Sequence, residues 1–172
     1  MNTLRSDGSP RMGRCHTWAV FQLLPGTGVL LPHRAGTLRF GMSEHTARWA
    51  LSTICDIRTQ SVCGAAWAFS GEYLGLTIDV LGAPEGNHAQ RLGYVELGRS
   101  PCDSSGEEPR GPALVPVLHE GVDLFGRPRH DVASHLPSDS RVNHGLGRTG
   151  GYIQSIGLRS PYWAIPYGSE TV

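Results

Sequence analysis

The chain has 172 residues with fifteen basic and fifteen acidic side chains, so its formal charge is zero. This balance removes long-range attraction to nucleic acid or to an anionic membrane as a basis for function. All fifteen basic residues are arginine, and the lack of lysine excludes Schiff-base chemistry and a P-loop lysine. The 23 glycines and 12 prolines predict many turns and short helices.

The N-terminal residues 1–16 are polar, carry three arginines and predict a disordered tail. No apolar run of secretory length follows these charges, and no segment approaches the ~20 apolar residues of a membrane span. We therefore expect a cytoplasmic protein with no membrane partner. A first strand is predicted within 17–24, where Trp18, Val20 and Phe21 lie close together.

A strand, a turn and a helix are predicted next. Leu38 and Phe40 alternate with polar residues, which is typical of a half-buried strand. Gly41 then breaks the strand, and Ser43 stands where a helix N-cap belongs. The helix is predicted over 43–54, because four residues fall at the spacing of one apolar helical face: Ala47, Ala50, Leu51 and Ile54.

The stretch 36–51 matches the stretch 121–136 without a gap, at an offset of 85 residues. Gly36, Phe40 and His45 align with a glycine, a phenylalanine and a histidine of the second stretch. In the second stretch Pro128 suits the first helical position, N1. The match predicts a duplicated structural unit.

Further strands are predicted over 65–70, 76–81 and 92–97, and one begins near Tyr152. The polar, glycine-rich stretch 139–151 predicts a loop, and the stretch 100–112 predicts a linker. The predicted fold is α+β, with two pseudo-repeats of a short helix packed on antiparallel strands. The repeats are expected at 17–99 and 113–172, the second being shorter.

Candidate chemistry is sparse. None of the four cysteines forms a C-x-x-C pair, and we expect Cys55 and Cys63 to be free thiols. The eight histidines form no H-E-x-x-H or H-x-H motif, so neither a metal site nor a cofactor is predicted. The enzyme alternative is a small hydrolase that uses Asp79 or Asp123 together with a histidine.

Large aromatic side chains are the candidate binding residues. Trp67, Tyr94 and Trp163 lie in or near predicted strands, where they belong either to the core or to an exposed face. Tryptophan and tyrosine often anchor protein interfaces. We therefore expect a protein-interaction module without catalytic residues, whose partner is a protein that the sequence does not identify.

The stretches Leu38–Ser43 and Leu74–Asp79 carry a family resemblance. A Phe-Gly-Met-Ser turn before a helix, followed by a Leu-Gly-Leu-Thr-Ile-Asp strand, resembles a loose group of small bacterial proteins. The repeats of that group are similar to the helix-and-sheet units of the beta-lactamase inhibitory protein and of the small lipoprotein of the outer-membrane assembly machine. The resemblance implies an α+β fold whose sheet presents a protein-binding face, and it implies no catalytic residue. We expect the interaction module to be of inhibitor or immunity type, because the chain is neutral, has no cofactor motif and repeats its sheet-and-helix unit.

Overall fold

The structure is a computed structural model that describes residues 19–84, 90–100, 109, 111–139, 141–146, 151–161 and 163. Within these residues the chain forms two short α helices and eleven strands. The strands are β1 Phe21–Leu24, β2 Gly28–Leu30, β3 Thr37–Arg39, β4 Ile57–Gln60, β5 Ala68–Tyr73, β6 Leu76–Gly82, β7 Leu92–Arg99, β8 Val117–His119, β9 Val122–Asp123, β10 Val142–Leu146 and β11 Ile153–Arg159. The helices are α1 Glu44–Ser52 and α2 Arg129–Val132.

The strands form two sheets. The five-stranded sheet has the order β3-β2-β1-β8-β9, and the six-stranded sheet has the order β10-β11-β7-β6-β5-β4. Neighbouring strands are antiparallel except for β1 and β8, which pair in parallel. The protein is therefore mostly β, and it agrees with the predicted α+β class in the broad sense that two short helices accompany antiparallel strands.

Both sheets contribute to a common core. Phe21 and Leu38 of the five-stranded sheet belong to the same buried cluster as Ile78, Val95 and Ile156 of the six-stranded sheet. Burying such side chains contributes roughly 1.5–3 kcal/mol each. The predicted units 17–99 and 113–172 meet in both sheets, because β1 pairs with β8 and β7 pairs with β11. The predicted tail and most of the predicted linker lie outside the described residues.

Helix α1 begins where the sequence predicts. The Ser43 side chain accepts a hydrogen bond from the Thr46 backbone N–H at 3.3 Å, so the predicted N-cap is confirmed. Ala47, Ala50 and Leu51 are buried, as the predicted apolar face requires, but the helix ends at Ser52, so Ile54 of the predicted face lies beyond it. The helix packs beside Gly71 of β5, where an added Cβ would overlap the Cys55 sulfur. Because glycine lacks a Cβ, the helix and the Cys55 side chain that follows it can approach the sheet here.

The second matched stretch also contains a strand followed by a helical segment, but the segment is shorter. Helix α2 has four residues, against nine in α1, and continues as a 3₁₀ turn over Ala133–His135. Pro128 lies at the N-cap of α2, so its predicted placement at N1 is wrong by one position. The duplication itself stays a prediction, which superposition of the two stretches would test.

One predicted loop is wrong. The stretch 139–151 was expected to lack regular structure, yet Val142–Leu146 forms β10 and pairs with β11. Among the strand residues whose burial is described, 142–145, Val142 belongs to the core cluster. The strand pairs with β11, the next strand along the chain. The asparagine, histidine and glycine of β10 are not typical strand residues, so local composition does not reveal it.

Candidate interaction face of the six-stranded sheet

The outer face of the six-stranded sheet is the face that points away from the core. Along β6 the buried residues Leu76, Ile78 and Val80 alternate with half-buried Thr77 and Asp79. Because successive side chains of a strand point to opposite faces, Thr77 and Asp79 lie on the outer face. The strand register brings four residues of β5, β6, β7 and β11 into one row across this face: Ser70, Asp79, Glu96 and Gly157.

Two carboxylates lie at the centre of this row. Asp79 of β6 is directly opposite Glu96 of β7. Partial burial raises the pKa of the Asp79 carboxyl above its ordinary value, and the negative charge of Glu96 raises it further. A hydrogen bond from Gln60 acts in the other direction and lowers this pKa. Gln60 also donates to the Ser70 hydroxyl at 2.7 Å, so the amide connects the edge strand β4 to the row.

Tyr94 forms one side of the carboxylate pair. Its hydroxyl donates to Glu96 Oε2 at 2.7 Å. Burial raises the pKa of Tyr94 well above its usual value, and the hydrogen bond to Glu96 adds to the effect. Gly157 makes this arrangement possible, because an added Cβ there would collide with the Tyr94 hydroxyl and ring. Tyr94 is therefore a fixed, protonated hydrogen-bond donor to Glu96 at neutral pH.

The three predicted aromatic anchors lie in two separate parts of the structure. The Trp163 ring lies 5.9 Å from the Tyr94 ring, centroid to centroid, and an added Cβ at Gly93 would overlap it. Trp67 instead stacks on Phe69 at 5.5 Å with an interplanar angle of 10°, and it packs against the core. Its indole N–H donates to the Gln90 carbonyl at 3.0 Å. Tyr94 and Trp163 thus come together, with Tyr94 bonded to Glu96, whereas Trp67 packs against the core.

A groove adjoins the carboxylate row at the end of β4, β5 and β6. It has a volume of about 470 Å³ and is lined by Asp56, Arg58, Ser70, Gly71, Glu72, Leu74, Gly75 and Thr77. Ser70 belongs both to the groove and to the row, so the two features are continuous. Leu74 stands in the β5–β6 turn with its side chain 59% exposed. Its backbone φ of 48° is left-handed, and that of Gly75 is 82°.

The residues of the hydrolase alternative do not share one environment. Asp123 Oδ1 accepts hydrogen bonds from the backbone N–H groups of Val117, Phe125 and Gly126 at 3.2, 3.1 and 3.0 Å. This carboxylate therefore holds the connection between β9 and α2. No histidine is among the described residues that line the groove. The combination of Asp79 with a histidine stays a prediction that the described geometry does not assemble.

Trp49 and Leu74 are two of the five large apolar residues that are exposed in the described part of the chain, and the sequence analysis missed both. Trp49 on α1 is 67% exposed. A helical projection would have found it, since Trp49 lies about 150° from the centre of the apolar face at 100° per residue. Leu74 gives no such signal, because leucine is not a residue that turn chemistry favours at positive φ. Cys55 and Cys63 are free thiols, as predicted.

Comparison with protein-family models, with curated proteins and with solved structures finds no match for this chain. None of the helices in the described ranges has the length and apolar character needed to cross a bilayer. Function is therefore inferred from the geometry of the sheet face.

Proposed function

We propose that the protein is a cytoplasmic, non-catalytic protein-interaction module, of inhibitor or immunity type, that binds its partner through the outer face of the six-stranded sheet. One observation carries the proposal. This face brings the rings of Tyr94 and Trp163 together beside the carboxylates of Asp79 and Glu96, and a groove continues from them. Protein interfaces combine aromatic anchors with polar groups in this way.

Leu74 supports the proposal from the rim of the groove. A left-handed backbone costs a residue other than glycine roughly 1–2 kcal/mol. Here the backbone at φ 48° keeps an apolar side chain largely in solvent, where it contributes little to folding. Backbone strain of this kind clusters at binding sites, so we assign Leu74 to the contact surface.

The predicted duplication and the family resemblance also support a protein-binding role. The turn and helix around Phe40–Ser43 resemble those of inhibitor-type proteins whose repeated sheets present a binding face. In this chain the corresponding face is the outer side of β4, β5, β6, β7 and β11, and its described part carries the aromatic rings and the carboxylates together.

A photo-crosslinking experiment tests the proposal. A photoreactive amino acid replaces Thr77 on the outer face of the six-stranded sheet, and a matched variant carries it at Thr37. Thr37 is half-buried on the outer face of the five-stranded sheet, beside the exposed Leu30. Irradiation in cytosol of the native host is expected to give one specific crosslinked protein from the Thr77 variant and none from the Thr37 variant.

Two results would contradict the proposal. Equal crosslinking from both variants would show that the outer face of the six-stranded sheet has no special role. A tightly bound small molecule in the purified protein, without any crosslinked protein, would favour a ligand-binding or catalytic role for the groove.

A further inference from the structure

We infer that the outer face of the six-stranded sheet docks a protein segment that carries an arginine or lysine side chain, and that this side chain seats between Asp79 and Glu96. The inference rests on the proposed function and adds the chemistry of the partner. Its starting point is the register of β6 and β7, which sets the two carboxylates directly opposite each other. Side chains in such positions have Cβ atoms about 4.5–5.5 Å apart.

Asp79 and Glu96 present two like charges to each other across β6 and β7. Like charges that face each other across two strands destabilise a sheet. Among the described residues no arginine makes a salt bridge to Asp79 or to Glu96, whereas Glu44 and Asp139 each have an arginine partner. Glu96 is bonded instead to the neutral hydroxyl of Tyr94. A positive group between the two carboxylates would remove their repulsion.

The charge of the surrounding face also suits a basic partner. The described residues of the row, the groove and the adjacent end of β11 carry more negative than positive side chains. Four carboxylates lie there: Asp56, Glu72, Asp79 and Glu96. Two guanidinium groups lie there: Arg58 and Arg159. The whole chain is neutral, so this face has a local negative excess. Complementary charge of this kind steers a basic partner to the face and fixes its orientation.

The aromatic rings favour a side-chain cation over a metal ion. The Tyr94 hydroxyl contacts Glu96, and the Trp163 ring lies 5.9 Å from the Tyr94 ring. The methylene stem of an arginine or lysine can lie along such rings while its charged head reaches the carboxylates. A calcium ion would instead require six to eight oxygen ligands, and the described residues contain no group of three acidic, histidine or cysteine side chains arranged to hold a metal.

The face leaves room for the docked chain. Gly98 lies on the same face as Glu96, two residues further along β7, and is opposite Thr77. A Cβ added at Gly98 would meet only the Ser155 Cβ, at 4.0 Å. A partner backbone can therefore approach the sheet at this position and deliver its basic side chain to the carboxylates. The groove lined by Glu72 and Leu74 continues the path on the other side of Thr77.

The test uses the full chain labelled with ¹⁵N and titrated with a tetra-arginine peptide, with a tetra-glutamate peptide as its counterpart. Amide signals of Ser70, Asp79, Glu96 and Gly98 are expected to shift saturably with tetra-arginine and to stay unchanged with tetra-glutamate. The double variant Asp79→Asn, Glu96→Gln is expected to weaken the binding by about tenfold or more, since both attractive charges are removed.

A matched control removes two carboxylates elsewhere. The variant Glu120→Gln, Asp131→Asn changes the net charge by the same amount at the exposed β8–β9 turn and on α2. It is expected to bind tetra-arginine nearly as the wild type does, and an equal loss in both variants would reduce the effect to net charge and overturn the inference. If the variant at Asp79 and Glu96 fails to fold, the location of the signals that tetra-arginine shifts in the wild-type protein is the test instead. Shifts at Asp79 and Glu96 support the inference, and shifts only elsewhere overturn it.

Three further results would overturn the inference. Tetra-arginine that shifts no signal on this face excludes the basic partner. Calcium chloride that shifts the same signals, while tetra-arginine does not, assigns the carboxylates to a metal ion. The third result is a partner protein that crosslinks at Thr77 through a segment that contains no arginine or lysine. That result would support the proposed function but overturn the inference of a basic partner segment.

Discussion

The backbone of Leu74 provides a quantitative prediction. Leu74 and Gly75 both have positive φ, at 48° and 82°, as the two central residues of a type I′ turn require. Asparagine adopts this conformation more readily than leucine or alanine, because the left-handed region costs most residues about 1–2 kcal/mol. The Leu74→Asn and Leu74→Ala variants lose nearly the same side-chain contacts, so their difference in stability isolates the backbone.

The magnitudes follow from the exposure of the side chain. Full burial of leucine contributes about 2 kcal/mol, and Leu74 is 59% exposed. Leu74→Ala is therefore expected to lower the free energy of unfolding by at most ~1 kcal/mol. Leu74→Asn relieves about 1 kcal/mol of backbone strain that Leu74→Ala retains. For a chain of this size, the Tm of Leu74→Asn is therefore expected to lie about 2–4 °C above that of Leu74→Ala.

Thermal unfolding followed by circular dichroism measures this difference, with urea unfolding as an independent measure of the free energy. Equal stability of the two variants would refute the reasoning, because it would mean that the turn stores no strain at Leu74. Both variants lose the exposed apolar group, so binding to a partner captured through Thr77 is expected to weaken in both. The difference in stability between the two variants thus reports the backbone strain of the turn, and their loss of binding reports the contact made by the Leu74 side chain.

Three other substitutions test the remaining parts of the structure. Asp123→Ala is expected to cost about 3 kcal/mol in urea unfolding, since three backbone amides lose a charged acceptor; a loss below ~1 kcal/mol would contradict that role. Gly157→Ala is expected to displace the Tyr94 ring and to destabilise the protein by about 1–3 kcal/mol, and prior replacement of Tyr94 by glycine should abolish most of this cost. Burial and Glu96 raise the pKa of Asp79 above 3.8. The folded state therefore holds the Asp79 carboxyl proton more tightly than the unfolded state does, so the free energy of unfolding decreases as pH rises through the range above 3.8. Asp79→Asn is expected to raise the urea midpoint at pH 7 and to flatten that dependence, and a lowered midpoint would show that the carboxylate is stabilising.

The sequence predicts elements best where the signal is local. The N-cap at Ser43, the buried face of α1 and the alternation along β6 follow from residue spacing alone, and the structure confirms them. The strand β10 and the stacking of Trp67 on Phe69 could not be predicted in this way. β10 depends on its pairing with β11, and the contact of Trp67 with Phe69 depends on the face of the sheet to which each side chain points.

The sequence by itself determined the types of side chain that are available: a neutral chain without lysine, several large aromatic residues, and carboxylates at Asp79 and Glu96. Nothing in the sequence places those two carboxylates opposite each other, because they are 17 residues apart and meet only through the β6–β7 register. The register of β7 and β11 leaves the Tyr94 hydroxyl over Gly157, and Trp67 lies apart from the other two predicted anchors, stacked on Phe69. A shift of one residue in a strand would turn its side chains to the opposite face, which is why the tertiary structure alone decided which residues form the candidate interaction face.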